Sequence, residues 1–381
     1  MECIVNHNAM AAVGYAVPWS SAPGKNVELH VSCERPPVSV GISRLDLPVP
    51  CTVDWPVVSV GQPPVKRSFS RGSFIRVARD ALCRSGEFRS LSFELLLTRN
   101  QGQRTVLSMG ALCLALVDGT LTWDDGSRRH VVATDVPNNT WLDVTVWKDA
   151  RSVGFAISAD DNLAPWHVET TIHDAWVVDA QGDLLLAAGP DNTQPTLNCK
   201  IAALRLETAA GSATWNFPTR LTTDAILSQG DLELAAELFN LPTFCTRSRR
   251  WDGTSFDPKH VPSQYDALHF HDDDMGAFDW PPSYRVTIPG DAEPGVYAFD
   301  VDLAERVERI VFFVSSTRSQ RPVLFVVPTA TYLAYADELL PREHFEWQCE
   351  DRGHRFIEDN QLRSLYDFHN DLSGVSICSY K

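Results

Sequence analysis

The chain has 381 residues, 44% of them hydrophobic and 22% charged, which is the composition of a globular protein and not of a disordered one. Its formal net charge of −16 makes a polyanion such as nucleic acid an unsuitable partner unless the chain carries a basic stripe. The densest basic cluster, Arg247, Arg249 and Arg250, is too short to be one.

The N-terminal segment lacks the basic and apolar regions of a secretory signal, and no apolar run reaches the roughly 18 residues that a membrane-spanning helix needs. The nine cysteines lie scattered between Cys3 and Cys378 without a C-x-x-C pair, which is typical of reduced thiols. We therefore expect a soluble, cytoplasmic protein that binds neither membranes nor nucleic acid.

The first half of the chain has a strong β pattern. Residues 1–66 predict a small β-rich unit, because NVELHVSC (26–33) alternates apolar and polar side chains. Residues 67–208 contain nine or ten short apolar-alternating runs at strand-plus-turn spacing, with an Asp-Gly hairpin signal at Asp118 and Gly119. This pattern predicts a lectin-like β-sandwich of the laminin-G or concanavalin type.

The second half is less regular. Residues 209–320 predict an irregular connector followed by a β segment, with a short helix in which Leu232, Ala235, Ala236 and Phe239 share one face. Residues 321–381 predict the beginning of an α/β domain, since the unbroken apolar run 323–327 is typical of a strand buried on both faces. The fold class is therefore mainly β, with flanking β segments and the start of an α/β domain at the end.

The string HFHDDD (269–274) offers a first candidate site. His269 and His271 would share one face of a strand, and the aspartates that follow make a metal site conceivable. The alternative is structural: the aspartates cap a turn, and the histidines bond to the backbone. No second His/Cys/Asp cluster stands at ligand spacing elsewhere in the linear sequence, which favours the structural interpretation.

A second candidate lies beyond the apolar run, where Tyr332 and Tyr335 stand about one helical turn apart. Further on, SLYDFHNDLSGV (364–375) supplies Tyr366, His369 and Asp371. Phenolate is a hard oxygen ligand suited to ferric iron, and a metal ion can depress the pKa of a coordinated group far below that of free tyrosine. Buried tyrosines that hydrogen-bond through their hydroxyls are the simpler alternative.

Several segments together resemble one family. VPTATYLAYADE (327–338) resembles the PT-x-TY-x-AYA motif of the large (beta) subunit of N,N-dimethylformamidase and its relatives, and SLYDFHNDLSGV resembles that family's Y-x-x-H-x-DGSGV motif. The segments at 13–32, 265–280 and 294–301, and the NLPT…RRWDG stretch, are also similar to family segments. The resemblance covers nearly the whole chain and corresponds to the N-terminal portion of the family's large subunit.

The resemblance implies an iron-dependent amidohydrolase that acts on small N-substituted formamides such as N,N-dimethylformamide. In that family two tyrosines and one glutamate hold a mononuclear ferric iron. Carried over by position, the tyrosine ligands here are Tyr332 (with Tyr335 as the alternate) and Tyr366. His369 and Asp371 of the second motif are candidate catalytic residues. The lectin-like domain would be structural.

The sequence departs from the family pattern in two ways. Leu372 stands where the family's DGSGV motif has a glycine that permits a positive φ angle. The third ligand and other catalytic groups come later in the family's sequence and have no counterpart before Lys381. We therefore expect a partial, apparently truncated large subunit, with a small subunit or a polypeptide that completes the α/β domain as partner, in an oligomer. The alternative is a non-catalytic, lectin-like binding or assembly subunit.

Overall fold

A computed structural model describes residues 1–61, 63–100, 102–159, 165–175, 182–190, 194–218, 223–316 and 323–377. These residues form 28 strands and four short α-helices, so the mainly β fold predicted from the sequence is confirmed. Among them, no helix has the length and apolarity that crossing a membrane would require.

The strands and helices follow one another in chain order. Up to residue 97 they are β1 (Glu2–Ile4), β2 (Ala12–Val17), β3 (Ser20–Ser21), β4 (Asn26–Cys33), β5 (Ser39–Arg44), β6 (Cys51–Val53), β7 (Val57–Ser59), β8 (Ser68–Ser70), β9 (Phe74–Val77), α1 (Arg79–Arg84) and β10 (Phe88–Leu97). Then come β11 (Gln103–Met109), β12 (Leu112–Val117), β13 (Thr120–Asp124), β14 (Arg129–Ala133), β15 (Trp141–Asp149), β16 (Ser152–Ala159), β17 (Trp166–Ile172), β18 (Leu184–Leu186), β19 (Cys199–Thr208) and β20 (Gly211–Trp215). The remainder are β21 (Ala225–Leu227), β22 (Gln229–Gly230), β23 (Ala235–Phe239), β24 (Thr243–Thr246), a 3-10 turn at Pro262–Gln264, β25 (Ala267–Phe270), β26 (Tyr284–Thr287), β27 (Gly295–Asp302), β28 (Val307–Val314), α2 (Thr329–Tyr335), α3 (Arg342–Cys349) and α4 (Arg352–Asn360).

One of two compact units, residues 1–2, 70–276 and 368–377, is the predicted sandwich. One sheet has the order β17-β16-β15-β10-β19-β20-β22, with β25 paired to β19 and β24 paired to β25. The other sheet has the order β14-β13-β12-β11-β18-β9-β23-β21. Neighbouring strands in both sheets are antiparallel, and a single apolar core contains buried residues from both.

Strand β15 shows why the sequence folds in this way. Leu142, Val144 and Val146 are buried in the core, whereas the residues between them are only half-buried. The three face Ala159, Ile157 and Phe155 of β16, so each inward side chain meets another apolar side chain across the pair.

The Asp-Gly hairpin predicted between β12 and β13 is also confirmed. Asp118 and Gly119 have φ angles of 43° and 82°. A tight two-residue turn of this kind needs positive φ at both central positions, and Asp and Gly tolerate it better than most residues.

The helix predicted around Ala235 and Ala236 is wrong. Residues Ala235–Phe239 form β23, which pairs with β9 on one edge and β21 on the other. Ala236 and Leu238 point into the sandwich core, while Ala235 is half-buried on the opposite face. Apolar residues four positions apart lie on one face both in an α-helix, with its period of 3.6 residues, and in a strand, with its period of 2. Pairing with β9 and β21 selects the strand.

The other unit comprises residues 3–69, 277–367 and 378–381. Its described part combines strands from the N-terminal segment with strands from residues 277–316, which the sequence pattern assigned to different domains. Its two sheets have the orders β2-β4-β26-β7 and β3-β28-β27-β5-β6. Val27 and Leu29 of β4 lie in the same core as Phe299 and Phe312 of β27 and β28. The predicted segment 209–320 is therefore divided at residue 276. These pairings join residues more than 200 positions apart, which local patterns cannot reveal.

The strand predicted at 323–327 is not formed, and no described residue pairs with it. Val323, Leu324, Phe325 and Val326 are between 69% and 80% exposed. A strand needs a neighbour for its backbone groups, and an apolar run alone does not supply one. Helices α2 to α4 follow, so the α/β character of residues 321–381 stays a prediction.

The two sides of β23 provide a test of its register. Ala236→Asp places a carboxylate in the sandwich core, so we expect it to lower the free energy of unfolding by at least about 3 kcal/mol. Ala235→Asp, on the half-buried face, should cost less than about 1 kcal/mol. Urea unfolding followed by tryptophan fluorescence measures both. Equal losses in the two variants would contradict the strand assignment, because only a helix would bury both residues on one face.

Candidate functional site

Strand β25 positions the first part of the candidate site. All four of its side chains are buried, and the strand pairs with β19 on one edge and β24 on the other. Leu268 and Phe270 lie in the sandwich core. Because successive side chains of a strand point to opposite faces, His269 lies on the face away from that core. His271 follows immediately after the strand.

A tight turn in residues 368–374 positions the second part. Phe368 and Gly374 form an isolated β-bridge. The backbone N–H of His369 donates to the carbonyl of Ser373 at 2.8 Å, and that of Leu372 donates to the carbonyl of His369 at 2.8 Å. Leu372 has a φ angle of 69° and is 81% exposed, so it occupies the left-handed conformation expected where the family motif has glycine.

The strand end and the turn meet in a buried histidine–aspartate cluster. Its members are His269, His271, Asp273, Asp274, His369 and Asp371. Nε2 of His269 lies 2.8 Å from Oδ2 of Asp371, and Nε2 of His271 lies 3.8 Å from the same oxygen. The rings of His271 and His369 are stacked, with centroids 3.7 Å apart and planes inclined by 5°.

The outer atoms of the cluster are hydrogen-bonded as well. Nδ1 of His369 lies 2.8 Å from Oδ1 of Asp273, and Nδ1 of His271 lies 3.1 Å from Oδ2 of Asp274. That oxygen of Asp274 also accepts from the hydroxyl of Ser73 at 2.5 Å. Ser373 donates to Oδ1 of Asp371 from its backbone N–H at 3.0 Å and from its hydroxyl at 2.6 Å.

Burial and neighbouring charges set the protonation of the cluster. Burial lowers the pKa of His269 to about 3, and the hydrogen bond with Asp371 opposes this only in part. Burial also acts to lower the pKa of His271, but the charge of Asp274 leads the opposing effects, which raise it overall. For Asp371, burial acts to raise the pKa, but the hydrogen bond with His269, the charge of His269 and the hydrogen bond with Ser373 together outweigh it, so the pKa of this carboxyl lies well below its ordinary range. At neutral pH His269 is neutral and Asp371 is ionised.

The cluster corrects one part of the structural interpretation of HFHDDD, the partners of the histidines, whereas Asp274 does cap the turn by accepting from the backbone N–H of His271. The histidines bond to side chains of a second motif about 100 residues later, and not to the backbone of a bend. The linear sequence contains no second His/Cys/Asp cluster at ligand spacing, but in the folded chain His369 and Asp371 lie beside His269 and His271. Sequence reasoning also missed Asp273, Asp274 and Ser373 as partners. The one available signal was the alternation of His269 and His271, which did place the two imidazoles side by side, with centroids 3.9 Å apart.

The tyrosines belong to the other unit. Tyr332 and Tyr335 lie on α2, which begins directly after Pro328. The ring of Tyr335 is stacked on that of Tyr366 with centroids 4.4 Å apart, and the hydrogen bond between them raises the pKa of Tyr335. Tyr332 instead lies against Trp19, at 6.4 Å between centroids. The structure therefore brings Tyr366 together with Tyr335, the alternate ligand.

Tyr332 also lines a cavity of about 450 Å³ in the same unit. Aromatic side chains form much of its wall, among them Tyr15, Trp19 and Trp280. Asp337 also lines the cavity, and its burial, followed by the charge of Asp367, raises its pKa to about 6. His369 and Asp371, the predicted catalytic residues, lie in the histidine–aspartate cluster instead.

The fold and the site define a class of protein: an antiparallel β-sandwich protein with a buried histidine–aspartate cluster and a pair of stacked tyrosines. Residues 246–378 match the family described as N,N-dimethylformamidase beta subunit-like, C-terminal. This stretch contains all three tyrosines and the whole cluster. The resemblance inferred from the motifs is confirmed.

Two curated relatives are both named N,N-dimethylformamidase beta subunit. The protein from Paracoccus aminophilus is 24% identical over 448 residues, which cover 97% of this chain and 59% of the relative. The protein from Alcaligenes sp is 28% identical over 154 residues, covering 37% of this chain and 20% of the relative. The chain thus spans less than two thirds of the length of either relative.

One solved structure shows a weak likeness to this chain. A Bacteroides ovatus protein, provisionally described as carbohydrate-binding, aligns with 57% of this chain and 68% of its own. The TM-score is 0.29 and the sequence identity 10%, so this likeness supports no argument about fold or function.

The low pKa of His269 predicts an acid-sensitive fold. The unfolded chain takes up a proton at this residue near pH 6.5, whereas the folded chain does so only near pH 3, so stability falls as the pH drops through that window. His271, with a raised pKa, opposes this effect near pH 6.5, where the unfolded chain is still taking up the proton that the folded chain already holds. We expect the contribution of His269 to the free energy of unfolding to fall by up to about 2 kcal/mol between pH 6.5 and 4.5. Asp337 acts in the opposite direction, because its pKa of about 6 lets the folded chain take up a proton there before the unfolded chain does.

Urea unfolding at several pH values measures this pH dependence. His269→Gln should lose less stability than the unmodified chain as the pH drops from 6.5 to 4.5, and His167→Gln, at a side chain that is 62% exposed, should behave as the unmodified chain does. The same pH dependence in His269→Gln and in the unmodified chain would show that another group causes the acid sensitivity.

Leu372 predicts a stabilising substitution. For a residue with a Cβ atom, the left-handed conformation raises the free energy of the folded state by roughly 1–2 kcal/mol. Glycine avoids this strain but loses more backbone entropy on folding, which costs about 0.5–1 kcal/mol. Leu372→Gly should therefore raise the free energy of unfolding by about 0.5–1 kcal/mol. Leu227→Gly is the control, because that exposed strand residue has no positive φ, and it should destabilise. A loss of stability in Leu372→Gly would contradict strain at this turn.

Proposed function

We propose that the chain is a large-subunit component of an iron-dependent amidohydrolase that acts on small N-substituted formamides such as N,N-dimethylformamide. The observation that carries the proposal is the stacked, hydrogen-bonded pair of Tyr335 and Tyr366. The two residues come from the two motifs that resemble the family, and the Paracoccus aminophilus relative aligned over 97% of the chain is named as a subunit of this enzyme.

The tyrosine pair fits an iron ion. The rings of Tyr335 and Tyr366 are stacked with centroids 4.4 Å apart, and the interaction of their hydroxyls raises the pKa of Tyr335, which supports neighbouring phenol oxygens. Two oxygen ligands at about 2.0–2.2 Å from one metal ion, seen at a right angle, lie about 3 Å apart. Phenol oxygens are hard donors of the kind that ferric iron accepts. We therefore assign Tyr335 and Tyr366 as the ligands that this chain supplies, in place of Tyr332 and Tyr366.

When bound, the iron would supply a Lewis acid that polarises an amide carbonyl or lowers the pKa of a water molecule. The chain's own contribution is to present two phenol oxygens on one side of α2. The aromatic cavity lined by Tyr332 and Trp19 suits the N-alkyl groups of a small amide.

His369 and Asp371 have a positioning role in this proposal. Their side chains are only 3% and 1% exposed, and each is hydrogen-bonded within the cluster. Groups so enclosed cannot touch a substrate without rearrangement. They hold the turn that follows Tyr366 in the chain.

We further propose that the chain works within an assembly. The relatives are named as beta subunits, which supports the presence of other subunits. The four consecutive apolar side chains at 323–326 are largely exposed, and a water-exposed apolar run of this kind is typical of a contact surface. A small subunit or a further polypeptide that packs on this run would bury it.

The iron proposal is tested on single tyrosine variants of the chain, purified with iron supplied. We expect the unmodified chain to bind one iron and absorb visible light through phenolate-to-iron charge transfer. Tyr335→Phe and Tyr366→Phe should each weaken iron binding by at least about 100-fold, since loss of a direct ligand should exceed the about 10–100-fold that outer-shell changes cost. Hydrolysis of N,N-dimethylformamide by the chain together with its partner subunits, measured as released dimethylamine, should fall with the iron content.

Tyr332→Phe is the matched control on the same helix and should keep its iron and its colour. If Tyr332→Phe loses the iron while Tyr335→Phe keeps it, the ligand assignment is wrong. The unmodified chain could also bind no iron and hydrolyse no amide, alone or with its partner subunits. That result would favour the alternative, a lectin-like binding or assembly subunit.

A further inference from the structure

We propose that His269, His271 and Asp371 form a second metal site, for a divalent ion of the zinc type, separate from the tyrosine pair. Two imidazole Nε2 atoms approach the same carboxylate oxygen, Oδ2 of Asp371, at 2.8 Å and 3.8 Å. The ligand atoms of the three residues all lie within 4.8 Å of one another. Ligands at about 2.0–2.1 Å from a tetrahedral ion are about 3.3–3.4 Å apart, a value that the two observed distances bracket.

Two of the three ligands, His271 and Asp371, are oriented by hydrogen bonds on their far sides. Nδ1 of His271 faces the carboxylate of Asp274 at 3.1 Å, which is the carboxylate–histidine arrangement that steadies metal-bound imidazoles. Oδ1 of Asp371 accepts both hydrogen bonds from Ser373, which leaves Oδ2 directed at the two histidines. Ser73 in turn holds Asp274 at 2.5 Å. Such outer contacts are as characteristic of metal sites as the ligands themselves.

The site is also rigid and closed to water. The side chains of His269, His271 and Asp371 are 7%, 1% and 1% exposed. His269 lies on a strand that is paired on both edges, so its position depends on the sheet and not on a loop. A site held on regular structure in this way needs little reorganisation to bind an ion.

Charge balance favours a cation at this point. In the described part of the chain, no lysine or arginine forms an ion pair within 4 Å of Asp274 or Asp371. Lys200, opposite His269 on β19, acts on Asp371 only from a longer distance. A buried carboxylate is costly unless a positive charge compensates it. Protons on the histidines or a divalent ion can do this, and two convergent Nε2 atoms suit the ion.

A second possible triad, His271, Asp274 and His369, shares His271, so the cluster holds one ion at a time. We favour the triad with Asp371 because Oδ2 of Asp274 already meets Ser73 and two nitrogen atoms of His271. In the favoured triad, the hydroxyl of Ser373 lies 2.9 Å from Nε2 of His271 and can serve as a further oxygen ligand. Two nitrogens with oxygens form a donor set that zinc and similar ions accept.

The experiment uses the full chain with Tyr335→Phe and Tyr366→Phe, so that the tyrosine pair cannot hold the ion. After treatment with a chelator, the protein is titrated with Zn²⁺ by calorimetry, and the zinc-loaded sample is examined by X-ray absorption. We expect one equivalent of Zn²⁺, two imidazole nitrogens in its first shell, and a higher melting temperature with zinc than with Mg²⁺. This result does not depend on hydrolytic activity, so it stands or fails apart from the proposed function.

Two variants assign the ligands. His271→Gln and Asp371→Asn should each weaken zinc binding by at least about 100-fold, beyond the about 10–100-fold expected of an outer-shell change. His167→Gln, at an exposed histidine of the same unit, should bind as before. If His271→Gln does not fold, zinc binding by Asp371→Asn and the X-ray absorption spectrum of the zinc-loaded protein will show whether the cluster binds the ion.

Absence of zinc binding, unchanged binding in both ligand variants, or a first shell without imidazole would each overturn the proposal. The cluster would then be a network of hydrogen bonds in which protons alone balance the carboxylates.

Discussion

The pairing of β25 on both edges is the constraint on which the histidine–aspartate cluster depends. Its register places His269 opposite Lys200 of β19 and Thr243 of β24. A slip by one residue would turn the imidazole into the apolar core and Leu268 and Phe270 out of it, because side chains alternate along a strand. Burial of those two residues thus also fixes the direction in which His269 points.

The same geometry explains why a segment about 100 residues later must dock at this strand. His269 and His271 are buried, and each needs partners for its ring nitrogens, because an unpaired polar group away from water is costly. Asp371 and Ser373 provide them. The two motifs therefore satisfy one another, and neither would be well placed without the other.

In the other unit, the helix α2 separates the roles of two tyrosines that its sequence places one turn apart. Tyr335 stacks on Tyr366, and Tyr332 lies against Trp19 at the wall of the cavity. Side chains three positions apart on a helix lie near one another but differ in direction by about 60°, which is enough for different neighbours. Of two equivalent-looking phenols, only one thus shares a hydrogen bond with Tyr366.

The sequence by itself determined the β character of the chain, the faces of strands such as β15 and the Asp-Gly hairpin. These features depend on alternation and on backbone sterics, which act over a few residues. Only the tertiary structure decided that β23 is a strand, that residues 323–327 are not, and which tyrosine meets Tyr366. It also decided that HFHDDD and the 369–373 turn form one cluster. Each of these depends on partners far along the chain, and the linear pattern contains no information on which distant groups will pair.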